Sequence, residues 1–188
     1  MITYASIVAD ILDREGSSFT NIPGDKGGPT KYGITQETLS DYLNRKALVS
    51  EVQSLNEQLA TKIYMQLYIV RPGFDRFNNM ALTEQLVDAG VQHGPTMAVK
   101  LLQRSLGMQE TGEIVLTTIQ AVAKLKPLMV TLNFMAARAH YYADCLQPES
   151  NWQFGGGWFN RFGGLLTKLS QAQNLNPIPV VAKSPPSS

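Results

Sequence analysis

The chain has 188 residues, 44% of them apolar, and sixteen basic against fifteen acidic residues leave a net charge of +1. That length suits one ordinary domain, or one domain with a small helical appendage, and the apolar share excludes intrinsic disorder for the bulk of it. The near-neutral charge gives no nucleic-acid footprint and no strong membrane-surface signal. Cys145 is the only cysteine, so there is no internal disulfide, and no Cys/His spacing suggests a structural metal.

Taken in chain order, most of the sequence reads as helix. Ile7, Val8, Ile11 and Leu12 follow helical spacing and predict a first helix over about 4–14. The segment MITYASIVADILDREG is therefore an amphipathic helix rather than a signal peptide. No window approaches eighteen apolar residues, so no transmembrane helix is expected. The chain is expected to be made in the cytoplasm without a signal peptide. Residues 16–34 are rich in glycine, proline and serine, show no helical period, and predict a loop or small hairpin.

Thr35 is the expected N-cap of a helix to about Asn44. Ser50-Glu51-Val52-Gln53 has a capping pattern and predicts one helix as far as Val70, stopped by Arg71-Pro72-Gly73. Helices over about 82–93 and 95–106 flank the Gly94-Pro95 break, and a short helix covers 116–124 beyond the Gly107–Gly112 turn. Leu128, Leu132, Met135, Ala139, Tyr142 and Leu146 trace one apolar face, which predicts a long central core helix. A glycine turn at Gly155–Gly157 is expected to lead into a last helix near 158–171. The Pro/Ser-rich stretch from Asn176 reads as a tail.

The chemistry concentrates in Glu15–Thr35, EGSSFTNIPGDKGGPTKYGIT. Glu15 ends an amphipathic helix, Asp25 follows in the glycine-rich segment, and Thr30 lies a little beyond it. Hydrolysis of a glycosidic bond needs one carboxylic acid to protonate the leaving oxygen and a second group to position water or steady an oxocarbenium-like transition state. The negative end of the helix dipole and partial burial both disfavour a charged carboxylate at Glu15. Asp25, on a solvated loop, stays ionised, so two carboxyls in unlike environments can take unlike roles. A single glutamate at a helix end is ordinarily a solvated surface residue. Gly27-Gly28-Pro29 lacks the spacing of a phosphate loop.

Several collinear motifs add to this. Glu15-Gly16, Phe19, Asn21, Pro23, Asp25, Gly27-Gly28, Thr30 and Lys31-Tyr32-Gly33-Ile34-Thr35 resemble the signature of glycoside hydrolase family 108, the N-acetylmuramidases of the lysozyme superfamily common as phage endolysins. Further matches are Leu86–Pro95, Leu101–Gly107, Thr111–Ile114 and Gly157-Trp158-Phe159-Asn160-Arg161. The resemblance implies a mainly α, lysozyme-like fold with a small irregular or β lobe at the cleft. It implies Glu15 as catalytic acid, with Asp25 and Thr30 holding water in an inverting mechanism, the carboxyls then roughly 6.5–9.5 Å apart. Departures from the signature are Ser17 for its second glycine, a Glu15–Asp25 segment one residue longer, Ile22 for the aspartate of the N-D-P turn, and Gln92 for an asparagine.

Tyr32, Asp88, Gln92, Trp158 and Arg161 are the substrate-binding candidates. Four of them have an alternative: packing for Tyr32, a hydrogen-bond acceptor for Asp88, a helix anchor for Trp158, and for Arg161 a tether of the Glu15 region. Asp88 and Gln92 share a helix face.

The expected division is a catalytic half over 1–94, a helical half over 95–172 resembling a wall-binding segment packed on the first, and a tail over 173–188. The expected activity is cleavage of the β-1,4 bond between N-acetylmuramic acid and N-acetylglucosamine, with no cofactor and no metal. The alternatives are a lytic transglycosylase and a non-catalytic peptidoglycan-binding or secretion-associated protein. Expected partners are peptidoglycan glycan strands, not nucleic acid and not a membrane interior. The chain is expected to be a monomer, with room for an inhibitor or immunity protein. Action in the periplasm or wall requires holin- or secretion-dependent export.

Overall fold

The computed structural model describes residues 2–22, 27–147 and 151–172. They form two compact units, residues 2–138 and, beyond them, the described residues from Ala139 onward. The fold is mainly helical with one small antiparallel sheet, the lysozyme-like class expected from the sequence. The units divide at Arg138/Ala139.

In the first unit, helix α1 (Tyr4–Glu15) opens on a capping box, the Thr3 hydroxyl accepting from the Ser6 N–H at 3.1 Å. It buries Ile7, Val8, Ile11 and Leu12, the face given by their spacing. Gly16, at φ 73°, ends the helix and donates its N–H to Leu12. The irregular stretch closes into a hairpin, β1 (Thr30–Lys31) with β2 (Ile34–Thr35), registered Thr30 opposite Thr35. Thr20 adds a bridge to Thr30. The hairpin turn is Tyr32-Gly33, with φ of 54° and 70°. Both central residues at positive φ are the mark of a type I′ turn, whose twist matches paired strands.

Thr35 then caps α2 (Gln36–Leu43) as expected, accepting from the Thr38 N–H at 3.1 Å. The single helix expected over 50–70 is instead three pieces. These are α3 (Val49–Gln53), α4 (Glu57–Tyr64) capped by Asn56, and a π-helical segment Met65–Val70 that continues α4. Leu55 is buried between α3 and α4, so packing breaks the helix where periodicity does not.

Helix α5 (Met80–His93) buries every residue from Leu82 to Gly90 and packs along α6 (Pro95–Ser105). It, not the long later helix, is the core helix of this unit, because a helix buried all round has core on every side. Helix α7 (Leu116–Ala123) follows, then α8 (Pro127–Cys145). Over its first half α8 buries Val130, Thr131, Phe134, Met135 and Arg138, while Leu132 is 42% exposed. The buried face is therefore turned from the expected one and carries an arginine. Asn79 ties the starts of the two helices, its side-chain amide donating to the Pro127 carbonyl at 2.9 Å.

The second unit holds the end of α8 and helix α9 (Trp152–Ala172). The helix runs straight through Gly155–Gly157, where a turn was expected. Glycine costs about 1 kcal/mol each in a helix. Here Trp158, Phe159 and Phe162 surround Tyr142 at 5.6–6.3 Å between ring centres. A Cβ at Gly155 would stand 3.3 Å from Leu146. Packing outweighs propensity. The expected tail, 173–188, lies outside the described residues.

Candidate active site

Glu15 closes α1 and is exposed. Its side chain is lodged against the hairpin turn. A Cβ built on Gly33 would lie 2.8 Å from Glu15 Cγ, 2.9 Å from Glu15 Oε2 and 2.8 Å from the Tyr64 hydroxyl. Glycine is thus required twice at this position, for its left-handed backbone and for the space the acid occupies. Behind the turn, the Tyr64 hydroxyl donates to the Tyr32 carbonyl at 2.9 Å. Tyr64 is itself buried, on the last turn of α4. The acid is therefore set by the end of α1 on one side and by a turn pinned from the core on the other.

Tyr68 extends this wall. Its ring centre is 5.3 Å from that of Tyr64. It sits on the π-helical segment, where Arg71 N–H reaches five residues back to Gln66. Such bulges re-aim side chains and occur often at functional sites. Burial pushes the Tyr68 phenol above its ordinary value, a side-chain hydrogen bond with Thr38 works the other way, and the charges of Asp41 and Glu15 push it further up.

Tyr32 lies in the turn itself. A tyrosine at φ 54° is strained, and such strain persists only where neighbours hold it. The Tyr64 bond to its carbonyl is one such hold. With Leu12, Asp13, Gly16, Ser17 and Glu57, its side chain lines a cavity of about 460 Å³ beside the end of α1. Thr30, half-buried in β1, donates its hydroxyl to the Gly28 carbonyl at 3.0 Å. Asp25 lies outside the described residues.

Asp88 and Gln92 are placed elsewhere. Asp88 is 2% exposed and pairs through one oxygen with Arg14 at 3.1 Å and through the other with Arg138, which is fully buried. Arg138 also donates to the Gln92 side-chain oxygen. The shared face expected for Asp88 and Gln92 is real, but what it faces is Arg138. Since Arg14 directly precedes Glu15, Asp88 anchors the helix end that carries the acid. Trp158 and Arg161 belong to the second unit. Trp158 is stacked between Tyr142 and Phe154, and Arg161 is half-buried on α9.

Sequence reasoning missed Tyr64, Tyr68, Arg14 and Arg138. Only Arg138 left a signal, a charged residue within the apolar rows of α8.

The comparisons fit this geometry. Residues 8–94 match the model of the family described as glycosyl hydrolase 108. That segment holds Glu15, the hairpin, Tyr64, Tyr68, Asp88 and Gln92, and ends at the break before α6. A solved structure, of Brucella abortus SagA, is similar to the chain with a TM-score of 0.76 and 28% identity, over 95% of this chain and 98% of that one. No curated protein matches the chain. The match over these residues supports a glycoside hydrolase role.

Proposed function

We propose that the chain is a muramidase, hydrolysing the β-1,4 bond between N-acetylmuramic acid and N-acetylglucosamine in peptidoglycan. Glu15 is the general acid. The observation that carries this is its setting: a solvent-open glutamate at a helix end, its side chain held against a glycine that cannot be enlarged without moving it. A preorganised acid at a fixed point on an open surface is what proton donation to a leaving oxygen requires. Asp25 and Thr30 are proposed to hold the attacking water on the opposite face of the sugar, an inverting arrangement. Tyr32, in the same turn as Gly33, is proposed to stack on a sugar ring. We place the action in the wall or periplasm, after export by holin or secretion machinery.

The test is digestion of purified peptidoglycan with mass spectrometry of the released ends. Reducing N-acetylmuramic acid ends are the expected product. Anhydro ends would mean transglycosylation. Release of neither end, equal to that of Glu15→Gln, would mean a binding or scaffolding protein.

A further inference from the structure

A second concavity, an open groove of about 770 Å³, lies on the same unit. Its walls come from α2, the π-helical segment and the start of α6, with an apolar floor that includes Leu67, Val99 and Ile114. Tyr68 and Thr38 line it, and the Tyr68 ring lies 5.3 Å from that of Tyr64, whose hydroxyl shares the Gly33 turn with Glu15. One wall of the groove thus packs against the residue that borders the Glu15 turn.

Its charges are of two kinds. Asp41 and Arg71 neutralise one another at 2.5 Å. Arg76, Glu37 and Glu113 also line the groove, and among the described residues none of the three has an ion-pair partner. Arg76 is held in place: one guanidinium N–H donates to the Ile114 carbonyl at 2.9 Å, and Gly73 packs under its stem. That leaves the rest of its planar fork for an acceptor. Glu37 and Glu113 present acceptors without a cation.

An uncharged sugar is bound by stacking and by hydrogen bonds to hydroxyl and acetamido groups, and gains little from a surface of ionised groups. A ligand with both carboxylates and an ammonium matches this one. A glycan strand bearing peptides brings such a ligand to the groove whenever its sugars reach Glu15. We propose that the groove is a subsite for the peptide stem on N-acetylmuramic acid, with Arg76 taking a stem carboxylate and Glu37 and Glu113 taking the ammonium of its diamino acid. This rests on the muramidase reading for the identity of the substrate. It makes the protein selective for peptide-bearing over stripped glycan.

The test is calorimetric binding to the full chain carrying Glu15→Gln, which leaves the ligands uncut. The two probes are N-acetylglucosaminyl-N-acetylmuramic acid bearing L-Ala–D-Glu–diaminopimelate, and the same disaccharide with a free lactyl carboxylate. The peptide-bearing probe is expected to bind about 10-fold tighter, as charge-assisted hydrogen bonds give. Arg76→Gln removes most of that preference. Glu37→Gln, on the exposed face of α2, lowers it about 3-fold while leaving the groove wall intact. Equal affinity for both probes, or a preference that neither variant changes, overturns the subsite. If wild type cuts no glycan but the Arg76-dependent preference stands, the muramidase reading falls and the subsite remains. If glycan is cut and the probes bind alike, the reverse holds.

Discussion

Glu15 and Asp88 are both helical carboxylates, joined through neighbouring Arg14, yet their environments are opposite. Asp88 is buried with both oxygens committed to arginines. Glu15 is exposed, and among the described residues it has no ion pair, only a fitted wall of Gly33. Under the proposed mechanism the difference separates holding from reacting. A carboxylate that must give up a proton has to be reachable and unneutralised, while one that fixes a helix end is worth most where water cannot compete.

Substitutions sharpen this contrast, from the largest effect to the smallest. Glu15→Gln keeps the shape and removes the proton, so wall cleavage should fall by roughly 10²–10⁴-fold, read from the initial clearing rate. Asp88→Asn strips the buried Arg138 of its counter-charge and should cost about 3–5 kcal/mol in a denaturant titration. Gly33→Ala puts a methyl group into the space of the Glu15 side chain. Displacing an acid by about 1 Å costs on the order of 10²-fold in rate, and the positive φ adds about 1 kcal/mol of instability. Tyr64→Phe frees the Tyr32 carbonyl and should cost about 1 kcal/mol, with a modest loss of activity.

Glu51 supplies a third kind of carboxylate, paired but on the surface. The side-chain hydrogen bond with Arg45, the Leu48 N–H and the Arg45 charge hold its carboxyl down at about 2, against an ordinary 4.5. Its support for the fold is present above the ordinary value and is lost as pH falls through about 2. Glu51→Gln should therefore flatten the acid side of the unfolding profile between those two values, lowering stability slightly at neutral pH, as for an exposed pair, and leaving it unchanged below about 2.

Much of this was legible in the residues themselves. Helical spacing placed α1 and its buried face, Thr35 announced α2, and Gly94-Pro95 marked the break between α5 and α6. Glu15 stood out because its neighbours follow a family signature, not because a lone glutamate says anything. Other features were out of reach for physical reasons. Nothing in Met65–Val70, which buries Leu67 and Ile69, distinguishes a π turn from an α turn. Tyr64 and Tyr68, one turn apart, look like ordinary core packing, and only the hydroxyl contact to Tyr32 makes Tyr64 part of the site. The glycines at 155–157 read as a turn because propensity is local, whereas the aromatic cluster around Tyr142 is not. Asp88 and Gln92 were found as a pair, but their partner lies 46–50 residues away on α8.

The most direct test of the separation between holding and reacting is to measure Glu15→Gln and Asp88→Asn side by side, each for wall cleavage per folded molecule and for the denaturant midpoint. The account predicts a crossing: Glu15→Gln loses activity at unchanged midpoint, and Asp88→Asn drops the midpoint while its folded molecules keep most of their activity. A Glu15→Gln protein that still cuts the wall at the wild-type rate would contradict it.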